Sequence, residues 1–189
     1  MIHTYIPFAP KDKKLNLGWV YNNFMNLVND DDWVLFLDHD AYFTTKTWYP
    51  QIEEIIEKNP EYGVFSSMSN RVGNPVQRVG GVDTNNHDIK YHREIGKSLQ
   101  QNGAHNVINF PNDILSGILI LISKKTWKSV GGFKEGFLGV DNTLHRDCLR
   151  NNIKVGLMTN FYIYHWYRAD GDNNHLNESN QLYKNPYYS

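Results

Sequence analysis

Trp33-Val34-Leu35-Phe36-Leu37-Asp38-His39-Asp40 is the stretch on which the fold of this chain turns. Its first five residues are apolar and follow Asp30-Asp31-Asp32. A short apolar run bounded by polar residues reads as a strand buried on both faces. Open sheets built from such strands place their ligands beyond the strands' carboxyl ends. Here that end carries two aspartates one position apart. In an extended chain, alternation turns Asp38 and Asp40 to one side and His39 to the other. Two carboxylates on one side offer hard oxygen ligands that suit Mg²⁺ or Mn²⁺, and such a cation suits a phosphate. The competing reading is a solvated turn, since Asp-x-Asp is common in loops. The wholly apolar strand in front of it favours the cation.

Working outward, residues 1–8 alternate and are expected to form a first strand ending near Pro7. Residues 10–16 make a polar loop whose Lys11, Lys13 and Lys14 either meet a phosphate or are simply solvated. Leu17, Val20, Tyr21, Phe24, Leu27 and Val28 recur at helical spacing, with Asn16 placed to cap the helix. Beyond the Asp-x-Asp, a helix is expected over 48–58, stopped by Asn59-Pro60. A strand over 62–67, a loop over 70–86 open to a substrate, and a helix over 88–101 ended by Gly103 follow. Residues 114–122 read as a central strand, 124–130 as a short helix broken by Gly131-Gly132, and 142–152 as a longer helix. Two last strands are expected over 155–158 and 161–166. This alternation of strands and helices points to an α/β fold, a three-layer α/β/α sandwich with a mostly parallel central sheet. One domain is expected over residues 1–168, followed by a polar, aromatic tail over 169–189 that is a candidate lid.

Composition narrows the function. At 189 residues the chain has the length of one domain. With 40% apolar residues it can bury a substantial core. A net charge of -1 and the lack of an extended basic stripe argue against a nucleic-acid binder. The single cysteine, Cys148, excludes an internal disulfide and fits a reducing compartment. Placed on the same expected helix as Leu144, it reads as a packed thiol rather than a nucleophile. No apolar run has the length of a membrane span, and no signal-peptide core is visible at the N-terminus, so a soluble, cytoplasmic protein is expected. The 14% of aromatic residues can stack on sugar rings or bases, or fill the core.

Taken in order, Ser116-Gly117, Gly131-Gly132-Phe133-Lys134-Glu135, Gly139-Val140-Asp141, Arg150 and His165-Trp166 resemble the second half of a family 2-type glycosyltransferase with the GT-A fold. In that family a strand and short helix lead to a Gly-Gly-Phe-x-Glu turn, an acidic pair, a helix, a strand and a late His-Trp. Gly18 and Asn22 match the family's helix before the Asp-x-Asp strand, so the resemblance runs from Asn16 to Arg168. Two departures stand out. Only eight residues separate Pro7 from Asn16, where the family has a helix, a base-reading strand and a loop. The acidic pair is Val140-Asp141, which keeps one carboxylate of two.

The resemblance implies a metal-dependent transfer of sugar from a nucleoside diphosphate sugar, UDP-sugar by preference, to a hydroxyl acceptor on a glycan or glycosylated molecule, with inversion. It implies that Asp38 contacts the sugar nucleotide and shares the metal, and that Asp40 ligates Mn²⁺ or Mg²⁺. His165 would complete the metal shell, which favours Mn²⁺; otherwise it is a histidine satisfied in the core. Asp141 is the candidate general base that takes the acceptor's proton, and its position before the expected helix also suits an N-cap. Arg168 and Trp166 are candidates for the diphosphate and for ring stacking, while Arg150 is placed to pair with Asp147. The alternatives from other classes are a catalytically weak sugar- or nucleotide-binding module and a metal-dependent nucleotide-sugar hydrolase.

Overall fold

The computed structural model describes residues 1–8, 16–102, 107–110 and 114–166. Its seven strands are β1 (Ile2–Tyr5), β2 (Trp33–Leu37), β3 (Ala41–Phe43), β4 (Tyr62–Ser69), β5 (Val107–Asn109), β6 (Leu119–Ser123) and β7 (Lys154–His165). They form one sheet in the order β1-β2-β6-β4-β7-β3, with β5 also paired to β7. β1 runs parallel to β2, and β4 to β7. The β2–β6, β6–β4, β3–β7 and β5–β7 pairs are antiparallel. The sheet is therefore mixed, not mostly parallel as the alternation of elements suggests. The short β3 and β5 run against β7, and β6 enters between β2 and β4 and runs against both. Nothing in its own five apolar and polar residues sets that direction.

Among the described residues five α-helices accompany the sheet: α1 (Leu17–Leu27), α2 (Trp48–Lys58), α3 (Ile89–Asn102), α4 (Lys124–Ser129) and α5 (Val140–Arg150). Asn16 caps α1 as expected, its Oδ1 accepting from Trp19 N–H at 2.9 Å. α2 ends at Lys58, and Asn59 Nδ2 donates to the Ile55 carbonyl at 2.8 Å. Alternating residues of the central strands feed two packed clusters. Val34, Phe36, Ile120 and Ile122 join Tyr21 and Met25 of α1 and Leu144 and Cys148 of α5. Leu35, Leu37, Leu119 and Leu121 join Ile52 and Ile55 of α2. Each fully buried Leu, Ile or Phe of this kind contributes about 1.5–3 kcal/mol. Among the described residues no helix is long and apolar enough to cross a membrane.

Several expected boundaries move. The strand expected from residue 114 begins at Leu119, because Ser116 and Gly117 are drawn into bonds with Gln77, Asn74 and Asp141. The two last strands are a single one, β7, whose register against β4 slips between Ser67 and Met68. Met158 faces Ser67 and Tyr162 faces Met68, so residues 159–161 bulge from the ladder. α5 starts at Val140 behind a left-handed Gly139 (φ 71°), which places Asp141 inside the first turn rather than ahead of it. β3 and β5, three residues each, were not expected.

α1 is fastened to the turn around Gly131-Gly132. Asn22 grips Phe133 with both ends of its amide: Nδ2 donates to the Phe133 carbonyl and Oδ1 accepts from Phe133 N–H, each at 2.8 Å. The indole N–H of Trp127 donates to the same Oδ1 at 2.9 Å. Gly18 N–H donates to the Gly136 carbonyl at 3.0 Å. Gly18 and Asn22, one helical turn apart, therefore meet the turn they share in the resemblance.

Candidate functional site

β2 ends at Leu37, and the chain turns at once. Asp38 N–H donates to the Ile118 carbonyl at 3.1 Å, and Ala41 N–H closes back on the Asp38 carbonyl at 3.0 Å. Asp38 and Asp40 thus stand on a tight turn, not on an extended segment. Both are half-buried all the same, and His39 is exposed. The turn leads into β3, which pairs with the end of β7 so that Ala41 faces His165. Trp166 N–H extends the ladder by donating to the Asp40 carbonyl at 2.9 Å.

This pairing brings His165 to the two aspartates. One ligand atom from each of Asp38, Asp40 and His165 lies within 4.8 Å of the other two. His165 Nε2 is 3.3 Å from Asp40 Oδ1. The ring is held from behind, since Nδ1 lies 2.7 Å from the Arg71 carbonyl. A carbonyl only accepts, so Nδ1 carries a proton and Nε2 is the nitrogen turned to the aspartates, the one that would give its lone pair to a bound cation. Asn70 clamps the backbone of the same residue: its Oδ1 accepts from His165 N–H at 2.8 Å and its Nδ2 donates to the His165 carbonyl at 3.1 Å. Two carboxylates and an imidazole with a hydrogen-bonded far nitrogen are a donor set that fits a divalent transition ion.

Asp141 approaches from α5. Its Oδ2 accepts from Gly117 N–H and its Oδ1 from Asn142 N–H, both at 2.8 Å. A β-carbon on Gly117 would come within 2.9 Å of the Asp141 β-carbon, so glycine is what allows the approach. The segment 116–118 ties the two acidic positions together, with Gly117 holding Asp141 and Ile118 holding Asp38. Gln77, fully buried, fixes that segment: its Oε1 accepts from Ser116 N–H at 2.8 Å, and its Nε2 donates to the Ser116 carbonyl at 3.2 Å and to Ser66 Oγ at 3.0 Å.

The electrostatics reflect the crowding. Burial pushes Asp38 up to about 6; Asp40 and Asp141 add to the rise and His165 opposes it. Burial also raises Asp141, against the pull of its backbone hydrogen bonds. For Asp40 burial acts upward, but the hydrogen bond and charge of His165 prevail and hold it below the ordinary carboxylate range. Burial would lower His165, yet Asp40 outweighs it and the imidazole is raised. A bound cation would replace this mutual compensation, because coordination requires the carboxylates ionised and the imidazole neutral.

The other expected site residues fare differently. Trp166 follows His165 with its side chain 43% exposed. Arg150 donates to Asp147 Oδ1 at 3.0 Å, the pairing its spacing suggests. Arg168, the tail over 169–189 and the lysines at 11, 13 and 14 lie outside the described residues. Tyr21, marked in the sequence only by its helical spacing, is a neighbour of the site. Tyr21 packs on Phe36 and Phe133 with ring centroids at 4.3 and 4.8 Å. Burial, then the charges of Asp38 and Asp141, hold its hydroxyl well above its ordinary value. Helical spacing marks such a tyrosine as buried and cannot say that its hydroxyl feels two carboxylates. No family model and no curated protein matches this sequence.

Proposed function

We propose that this chain is a metal-dependent glycosyltransferase that moves a sugar from a nucleoside diphosphate sugar, UDP-sugar by preference, to a hydroxyl on a glycan or glycosylated acceptor, with inversion. The observation that supports it is the convergence of Asp38, Asp40 and His165 to within 4.8 Å at the end of β2. Asp141 reaches the same end of the sheet through Gly117. Asp40 and His165 are the residues that would hold the cation, with Asp38 shared between cation and donor. One imidazole among the donors favours Mn²⁺ over Mg²⁺. Such a cation would neutralise the charge gathering on the departing diphosphate. Asp141 accepts the acceptor's proton, and its burial helps, since a carboxylate with raised proton affinity is a better base near neutral pH. Trp166 offers its exposed indole to a ring, and Arg168 its charge to the diphosphate. The three-layer GT-A arrangement belongs to the same proposal, supported by the two clusters on opposite sides of the strands.

Calorimetric titration with UDP tests the reading. Binding in Mn²⁺ is expected to weaken about tenfold or more when the ion is chelated, and Asp40→Asn should reproduce that loss in a folded protein. UDP affinity indifferent to chelation overturns the metal bridge. Asp141→Asn should keep UDP–Mn²⁺ affinity and lose ~10² to 10⁴ in transfer rate. Unchanged turnover would leave Asp141 as a first-turn carboxylate serving α5 alone.

A further inference from the structure

A cleft of about 420 Å³ opens between α2, α3 and the bulge of β7. Its polar lining is Thr47, Gln51, Glu54, Gln100 and Asn160. Three departures from local stability coincide there. The first is the bulge itself, which takes residues 159–161 out of the β4–β7 ladder; bulges of this kind re-aim side chains beside sites. The second is Asn160, only 5% exposed, whose Oδ1 has no hydrogen-bond partner. Its backbone carbonyl, by contrast, is secured by Gln51 Nε2 at 3.0 Å. A buried amide oxygen without a donor is destabilising, and native folds rarely keep one without a reason. The third is Thr47, which stands at the N-cap of α2 yet makes no capping bond. Its hydroxyl accepts instead from Gln100 Nε2 of α3 at 3.0 Å. Places where several local rules fail together are where a fold has been shaped by a ligand.

The lining chemistry selects the ligand. Among the described residues the lining holds no lysine, arginine or histidine, and Lys58 beside it is paired with Glu54, so a phosphate or carboxylate finds little counter-charge there. Glu54 is already engaged by Lys58 at 2.8 Å, which removes the demand for an added cation. What remains is rich in acceptors and calls for a ligand that brings several neutral donors. Pro50 and Ile55 supply a small apolar flank suited to the C–H face of a pyranose. The volume falls within the roughly 300–1,000 Å³ of small-molecule sites. We infer that this cleft is a second binding site, for a neutral polyhydroxylated ligand of the saccharide class. It is separate from the aspartate–histidine group, since Asn160 precedes His165 by five residues of β7.

The test is a titration of the ¹⁵N-labelled chain without nucleotide or metal, so its outcome does not depend on the transferase proposal. Maltose and cellobiose are the probes, with spermidine and inorganic phosphate as the charged arms. The side-chain amide signals of Asn160 and Gln100 are expected to move saturably with a disaccharide and with neither charged probe. Asn160→Leu, which removes the unpartnered oxygen, should weaken that binding about tenfold. Should that variant not fold, Gln100→Ala serves in its place, with the same loss expected. Amide signals unmoved by both disaccharides, or moved by spermidine or phosphate instead, overturn the inference. So does a folded variant that binds disaccharide like the parent.

Discussion

Replacing Gly18 by alanine is a demanding test of the way α1 meets the Gly131-Gly132 turn. An alanine β-carbon would stand 1.9 Å from the Lys134 carbonyl oxygen, 2.8 Å from its carbon and 3.1 Å from the Glu135 α-carbon. A carbon–oxygen contact needs about 3.3 Å, so helix and turn would have to part by about 1.4 Å. Every atom in the way is backbone, and no side chain can rotate to relieve it. Parting also strains the bond from Gly18 N–H to the Gly136 carbonyl and the grip of Asn22 on Phe133. In a free helix the same change would stabilise by about 1 kcal/mol. Against it stand about 1–3 kcal/mol for overpacking and about 1 kcal/mol for each weakened bond. The clash wins, and Gly18→Ala is expected to lose about 2 kcal/mol or more. Urea denaturation followed by circular dichroism reads this as a lower midpoint at unchanged slope. A midpoint equal to or above that of the parent would refute the close approach.

Four further outcomes follow from the structure. Asn22→Ala strands the Phe133 amide and carbonyl and the Trp127 indole N–H, and should lower stability by about 1–3 kcal/mol in the same assay. Gly117→Ala would push on the Asp141 carboxylate from 3.1 Å; transfer should fall about 10² while UDP–Mn²⁺ affinity changes little, and equal losses in both would contradict the assignment. Asp32 is held below the ordinary carboxylate range by the hydrogen bond from His3, 3.0 Å away, and then by the terminal amine. A depressed folded value gives stability that is complete above the unfolded value of about 3.9 and lost as pH falls through the folded one. The stability gap between parent and Asp32→Asn should therefore shrink below about pH 4, and a gap constant through acid would count against it. Burial, then the Asp147 charge, push the Cys148 thiol up to about 12, so thiol reagents at mildly alkaline pH should label it only as fast as the chain unfolds.

What the sequence declares about this fold is local. Asn16 before Leu17 and Asn59-Pro60 after Lys58 mark helix ends with their own side chains, and both ends fall where expected. The five apolar residues from Trp33 form a strand for the same reason. Ser116-Gly117, within an equally apolar run, do not, because their partners Asn74 and Asp141 lie 42 and 24 residues away. The direction of β6 is likewise decided by its neighbours. β3 and β5 are too short to show a period, and each exists by pairing with β7. In the candidate site, Asp38, Asp40 and His165 were legible as residue types at strand ends. Asn70, Gln77 and Tyr21 were not, since an amide in a loop and a tyrosine on a helix carry no signal of what they touch.

The placement of β7 has a consequence for how the molecule is made. Asp38 and Asp40 precede β4 and β7 in the chain, and His165 is the last residue of β7. β7 must insert between β4 and β3 before an imidazole reaches the aspartates at all. Until then the two carboxylates lack the imidazole that offsets their charge. The three-donor group is therefore made only by molecules in which β7 has docked. A chain cut between Phe43 and His165 keeps both aspartates and lacks the third donor, and a luminescent lanthanide could tell it from one in which β7 has docked.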